Sequence, residues 1–560
     1  MNISLLTDPL LLVIMAFAGF FSMATSLQVA TRPAAVRTGM VATALTMGQL
    51  IFIVTRFGNL FYLPLLGNFV DKATNSGETD ILLQQASWVV VGGAMGALVA
   101  LLLLPSFVEL CARGVKSINA RKSMVGALLN LSRPRTWKVV FRSLRAPGLM
   151  GVKLFKLDGL PKKFLWFNVV ATAIWTVGAL AAITVSGLQP EFKQTALLLS
   201  GLINSYAAIA FSVWVDPQAA HITDKAVDGR LKEESVTNMS IHLILGNFVG
   251  TLLGLLLLNP AVTIVGEAAS AIGQSASQLD AATIWLVVGN AFILLLNGTI
   301  YSSRTSAVRT AKVATALAVF NFFSLISRIA GQVYGPFVGA VTDQLTRRPA
   351  GEALPADALE KLEMFNRGLI WGAAVGCLLS LLLIPTFVKI YDAVIQQMDR
   401  HGELSKVVRM ALNPKRWPTI LATFTAPWKQ NVTWAAFRRI PKGFLIGNVV
   451  VLTFLTVGQL AAIYAGAALA PEVARTATLL SPLINGVATI TLSIIVDPGC
   501  ATIVDDAIKG EREMEDVETM TFWLALGSVV GTSLAQLLFL PGAWFIGEIA
   551  KIVGEILALF

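Results

Sequence analysis

The sequence predicts an all-α polytopic membrane protein, with about 12 transmembrane helices arranged as two parallel six-helix repeats. Three observations carry this expectation: the composition, the length of the apolar runs, and an internal repeat. Of 560 residues, 55% are hydrophobic and only 14% are charged; the mean hydropathy is +0.71. Soluble domains carry roughly 25% charged residues, so this chain has too little charge to coat a water-facing surface. Its apolar runs of about 20 residues are each long enough, as helices, to cross a hydrocarbon core of about 30 Å.

The first run, "PLLLVIMAFAGFFSMATSLQVA", has no Lys or Arg before it. A secretory signal needs a basic segment there, so the run is expected to be a retained span. Further candidate spans in the first half lie near 40–62, 85–107, 165–187, 194–214 and 238–258. Their counterparts in the second half lie near 281–302, 312–334, 367–388, 445–467, 475–496 and 519–540.

The repeat is visible by eye. "RPAAVRTGMVATAL" from Arg32 answers "RTSAVRTAKVATAL" from Arg304, and the alignment runs without a gap to Asp71 and Asp343. Within it Arg56 falls on Arg328, Tyr62 on Tyr334, Pro64 on Pro336 and Gly67 on Gly339. "LLLLPSFV" and "LLLIPTFV", "SGLIN" and "SPLIN", and two copies of "VDP" extend the correspondence. The expected domains are therefore residues 1–275 and 276–560.

An even number of spans per half gives both halves the same orientation. This makes a parallel repeat about an axis along the membrane normal, with a site expected between the halves. Residues 109–163 hold 13 Lys and Arg against 2 acids, and 389–443 hold 10 against 3. Positive charge marks cytoplasmic loops, so both termini are expected outside and the paired-arginine signatures inside. "LSRPRTWKVVFRSLRAP" and "ALNPKRWPTILATFTAP" read as interfacial helices of the headgroup layer, Trp inward and Arg outward. The net charge of +10 sits beside spans, where it attracts anionic lipid headgroups; it does not point to nucleic acid.

Arg56 and Arg328 each stand inside an apolar run. An Arg at a helix centre costs about 2.5–3.5 kcal/mol on insertion scales, so each is expected to face a partner or a wet cavity. The alternatives are a structural ion pair with Asp71 or Asp343, or snorkelling to an interface. Arg32, Arg37, Arg304 and Arg309 lie at the turns after the first span of each half. One such pair would read as topogenic charge, but the spacing and the "AVRT" core recur. Guanidinium groups match phosphate oxygens bidentately and stay protonated, so the six arginines read as a receptor for a pyrophosphate or another polyanionic headgroup.

Asp216 and Asp497, each in "VDP", are expected to end the fifth span of each half, as counter-charges to the arginines or as proton relays; Asp224 and Asp505 follow. Asn168, Asn448, Asn204 and Asn485 read as helix–helix hydrogen-bonding groups, and "GNFVG" and "GSVVG" as close-packing faces. Gly67 and Gly339, three residues after Pro64 and Pro336, are candidate hinges.

No phosphate-binding Walker pattern, nucleophile elbow or recurring histidine is present, and three scattered cysteines read as packing residues. These absences argue against an enzyme and against a metal or other cofactor.

"SRTSAVRTAKVATALAVFNFFSLISR", with the Tyr-x-Pro and glycine-containing stretch that ends at Asp343, resembles the opening of the Amj family of bacterial lipid II flippases. Members are about half this length, so the chain resembles two family units in tandem. The first half departs where Ser303 and Thr305 become Thr31 and Pro33. The resemblance implies movement of the undecaprenyl-pyrophosphate-linked peptidoglycan precursor from the cytoplasmic to the outer leaflet of the bacterial inner membrane. It also implies a lipid-linked anionic substrate, membrane lipids and the cell-wall synthesis machinery as partners. Two other readings of the residues stay open. One is a proton-coupled transporter of a small anion or polyprenyl-phosphate lipid; the other is a scaffold for envelope assembly.

Overall fold

The computed structural model describes residues 3–121, 138, 141–145, 160–227, 229–276, 279–347, 354, 356–401, 424–426, 431–468 and 473–557. The chain forms two compact units. The first comprises Met1–Ala271, Ala470–Leu479 and Ala550–Phe560; the second comprises Ile272–Leu469 and Leu480–Ile549. Most of the segments read as interfacial helices lie outside the described residues.

The regular elements are helical throughout, with no strand among the described residues. The first unit contains α1 (Pro9–Leu27), α2 (Thr31–Thr38), α3 (Val41–Ser76), α4 (Leu82–Arg121), α5 (Lys162–Leu188), α6 (Lys193–Ala210), α7 (Asp216–Val227) and most of α8 (Glu233–Ser275). Next come α9 (Leu279–Thr299), α10 (Ser302–Thr310), α11 (Val313–Leu345), α12 (Ala356–Leu382), α13 (Ile384–His401), α14 (Trp434–Arg439) and α15 (Lys442–Ala468). Last are α16 (Ala474–Leu479), which belongs to the first unit, α17 (Ser481–Thr491), α18 (Asp497–Ile508) and α19 (Met514–Leu557).

Ten helical stretches among the described residues are long and apolar enough to cross a membrane. This is an all-α, multi-pass membrane protein. α3 and α11, which carry Arg56 and Arg328, are not among the ten, but they run unbroken for 36 and 33 residues, through Pro64 and Pro336. At about 1.5 Å per residue both exceed a 30 Å core.

Local chemistry sets the signature turn. The Asp8 carboxylate accepts the Leu10 and Leu11 N–H groups and Pro9 opens α1, which satisfies donors a helix start leaves orphaned. α2 ends on Gly39 at φ +67°. Its counterpart Ala311 takes φ +54°, a left-handed conformation that costs an L residue roughly 1–2 kcal/mol. The second unit keeps the turn even without the glycine.

Asp216 and Asp497 do not end a helix as expected. The helix passes through each as a π-turn, Phe211–Val215 and Leu492–Val496, then continues to Val227 and Ile508. The Asp216 N–H reaches back five residues to the Phe211 carbonyl, and the Asp497 N–H to that of Leu492. The cause is the proline that follows each Asp. It has no N–H, and its ring crowds the carbonyl four residues back, which a wider turn relieves. Matching cores hold both turns: Phe164, Val215, Ala219, Met239 and Leu243 in the first unit, and Phe444, Val496, Cys500, Met520 and Leu524 in the second.

Small residues bring the helices together, because lipid tails give apolar helices no hydrophobic reason to associate and close packing must do it. The Asn168 amide donates to the Leu243 carbonyl at 2.9 Å, and Asn448 to that of Leu524 at 2.8 Å. Gly250 and Gly531, of the two G-x-x-x-G faces, leave room for the carbonyls of Val169 and Val449. Asn204 and Asn485 depart from expectation. Their side-chain oxygens are buried with no hydrogen-bond partner among the described residues and press on Gly178 and Gly458. Gly67 is a contact surface and not a free hinge, since it faces the backbone of Arg475 and Thr476 on α16.

Two helix crossings are tighter still. A Cβ added to Gly96 would lie 1.9 Å from the Gly19 carbonyl oxygen, and one added to Gly376 would lie 2.1 Å from that of Ala291. Gly96→Leu and Gly376→Leu are each expected to force α1 from α4, or α9 from α12, and to cut folded yield in size-exclusion chromatography severalfold. Gly39→Ala should not, because Ala already occupies the equivalent place at 311.

Candidate anion-binding site

In each unit the paired arginines come from the short helix after the first span and meet acids from helices far along the chain. In the first unit Arg32 Nη2 lies 3.4 Å from Asp216 Oδ1. Arg37 bonds to Glu233 at the start of α8 and lies 3.8 Å from Glu109 on α4. Glu109 also holds Arg113 at 2.7 Å and Arg145 at 3.5 Å, so one carboxylate faces three guanidinium groups.

The second unit repeats the first pair and alters the second. Arg304 Nη2 donates to Asp497 Oδ1 at 2.9 Å. Arg309 Nε lies 3.1 Å from Asp392 on α13. Burial pushes the Asp392 carboxyl above the usual carboxylate range, with the Ser306 hydroxyl and the Arg309 guanidinium pulling the other way. Thr305, Arg309, Lys389, Thr425 and Glu518 line a small open cleft of about 90 Å³. One Arg304 nitrogen, Nη1, is buried with no acceptor among the described residues, an uncommon state for a charged donor.

Both Arg–Asp pairs share a lopsided burial. The arginine side chains are 15% and 17% exposed, while the aspartates are 62% and 53% exposed. The guanidinium is set into the protein and its carboxylate sits at the surface.

The other expected pairing fails on geometry. Asp71 stands 15 residues beyond Arg56 on α3, and Asp343 15 beyond Arg328 on α11. Along one helix that is about 22 Å, far outside ion-pair reach. Asp71 instead receives Arg475 Nη1 at 2.8 Å, together with the backbone N–H and hydroxyl of Thr476. Arg475 Nε donates on to the Ser186 carbonyl and hydroxyl. Arg475 and Asp71 are 3% and 0% exposed, and Asp343 is buried too. Arg328 is exposed in the middle of α11 and has no acidic partner among the described residues. The Arg56 side chain lies outside the described residues.

Comparing the repeats could not reveal Glu109, Asp392 or Arg475. Lys389 stands at the Glu109 position and Ala112 at the Asp392 position, so the acid has moved three residues along its helix while keeping its face. Arg475 falls on Gln194. Its one sequence signal was a charge within an apolar run, the same signal that marked Arg56.

A family model described as Amj, alternate to MurJ, matches residues 17–269 and 290–550. A protein of Bacillus subtilis (strain 168) named lipid II flippase Amj is 34% identical to this chain over 264 residues, which cover 46% of this chain and 94% of the relative. No solved structure matches the chain.

Proposed function

The chain belongs to the Amj family, as two family units in tandem, and from that premise we propose that it is a lipid II flippase. It carries the undecaprenyl-pyrophosphate-linked precursor from the cytoplasmic to the outer leaflet of the bacterial inner membrane. It is a transporter and not a catalyst. The observation that carries the reading is the family match to both halves, with a relative named for this activity.

The geometry supports a charged-headgroup site in each repeat, residues 1–275 and 276–560. Arg32 and Arg37, and Arg304 and Arg309, gather at one end of their units, where bidentate guanidinium groups suit a pyrophosphate. The basic loops support a cytoplasmic position for that end, with both termini outside. Arg328 supports a wet path further in: an exposed mid-helix guanidinium is too costly to leave in lipid. Arg56 is its counterpart in the first repeat. Asp216 and Asp497 are the counter-charges of the arginine sites, whereas Asp71 and Asp343 act at the opposite ends of α3 and α11. The exported lipid enters the outer-leaflet pool that the cell-wall synthesis machinery consumes, which makes that machinery the partner downstream.

The test uses cells depleted of their own lipid II flippase and expressing this protein. Lipid II is measured by its accessibility to an externally added cleaving enzyme. Wild type is expected to expose it; Arg56→Ala and Arg328→Ala, at equal expression, are expected to reduce exposure severalfold. No exposure by well-expressed wild type overturns lipid II as the substrate and favours a smaller anion.

A further inference from the structure

We infer that Asp216 and Asp497 are built-in stand-ins for the substrate's phosphate. They hold Arg32 and Arg304 while the site is empty and are displaced when a pyrophosphate-bearing lipid arrives. The inference rests on the headgroup-site reading above and adds to it how the site is kept charged, occupied and selective.

Three observations converge. First, the pair recurs in both repeats, α2 with α7 and α10 with α18, and keeps the same lopsided burial. Second, that burial says which partner moves: the arginine is enclosed, and the aspartate is more than half exposed. The more exposed carboxylate is the partner with room to move, whereas a buried guanidinium left without an anion would be strongly disfavoured. Third, each aspartate sits immediately after a π-turn. Such a turn has already given up ordinary helical bonding and can re-form with a different register or tilt.

The exchange follows from the acceptors. A carboxylate offers one charge to the guanidinium; a pyrophosphate offers more than one, with oxygens on two phosphorus atoms. Arg304 has a donor to spare, because Nη2 binds Asp497 while Nη1 has no acceptor. A diphosphate could take both nitrogens where the aspartate takes one. A neutral prenyl alcohol could not dislodge the carboxylate, so the aspartates would act as a filter for charge. They would also assist release, by returning to the arginine as the headgroup leaves.

The full-length chain in nanodiscs is titrated with farnesyl pyrophosphate, with farnesol as the uncharged control. If the aspartates compete, Asp216→Asn with Asp497→Asn should bind farnesyl pyrophosphate about two- to fivefold more tightly than wild type, from the loss of one competing, partly exposed ion pair at each site. A structural pair predicts the opposite sign, since its loss would loosen the site and weaken binding. Equal or weaker binding by the folded Asn variant overturns the exchange.

A second measurement needs no variant. In wild type, farnesyl pyrophosphate should raise amide hydrogen exchange through Phe211–Thr223 and Leu492–Ile503, and farnesol should not. Unchanged exchange in both segments at saturating ligand also overturns it. The two proposals fail separately. Lipid II exported in cells without tighter binding by the Asn variant sinks the exchange alone. Tighter binding without lipid II export keeps the exchange and sinks the flippase reading.

Discussion

Asp71→Ala is expected to destabilise the first unit by about 3–5 kcal/mol, the range for removing one partner of a buried ion pair. The size follows from what is left behind. Arg475 is enclosed and would keep only the Ser186 contacts. The N–H groups of Arg475 and Thr476, both now donating to Asp71, would also lose their acceptor, and orphaned buried donors are costly. Removing both charges is a different perturbation. Asp71→Leu with Arg475→Met replaces the pair by apolar volume, which is often neutral or stabilising, and should recover most of the loss. Thermal unfolding of the purified protein in one detergent measures all three forms. If single and double variants melt together, the pair is packing and not an electrostatic anchor for α16.

Arg304→Gln is expected to reduce lipid II exposure by roughly 10- to 100-fold. That equals the 1.5–3 kcal/mol carried by a hydrogen bond to a charged group, converted to a rate ratio. Arg32→Gln should cost less. Its pair with Asp216 is longer, 3.4 Å against 2.9 Å, and its helix carries Pro33 where the second repeat has Thr305. In the second unit that Thr305 hydroxyl pairs with Thr521 at 2.8 Å, which fixes the helix bearing Arg304. Arg304→Lys should rescue only partly, because an ammonium keeps the charge but loses the planar fork. Exposure rates at matched expression decide it. Equal losses at Arg32 and Arg304 would mean that the repeats share the work evenly, and no loss at either would remove the arginine pair from transport.

Membrane residence, the helical fold and the tandem repeat were legible because they are properties of local runs. Hydropathy over about 20 residues fixes whether a helix enters lipid, and two copies of one pattern reveal themselves by comparison. Arg32, Arg37, Arg304 and Arg309 were legible for the same reason, since the signature recurs. Their partners were legible only where the partner also recurs: Asp216 and Asp497 do, whereas Glu109 and Asp392 exchange positions along their helix.

The tertiary structure decided which of the other charges meet. Arg56 and Asp71 look like neighbours in a short stretch of sequence, but one rigid helix holds them about 22 Å apart. Asp71 and Arg475 are 404 residues apart and share a hydrogen bond. Likewise Asp216 and Asp497 are expected from sequence to end a span, and the surrounding core carries the helix through each as a π-turn. A sequence lists which charges a membrane protein keeps. Lipid supplies no counter-ions, so only the packing of helices determines where each charge finds its partner.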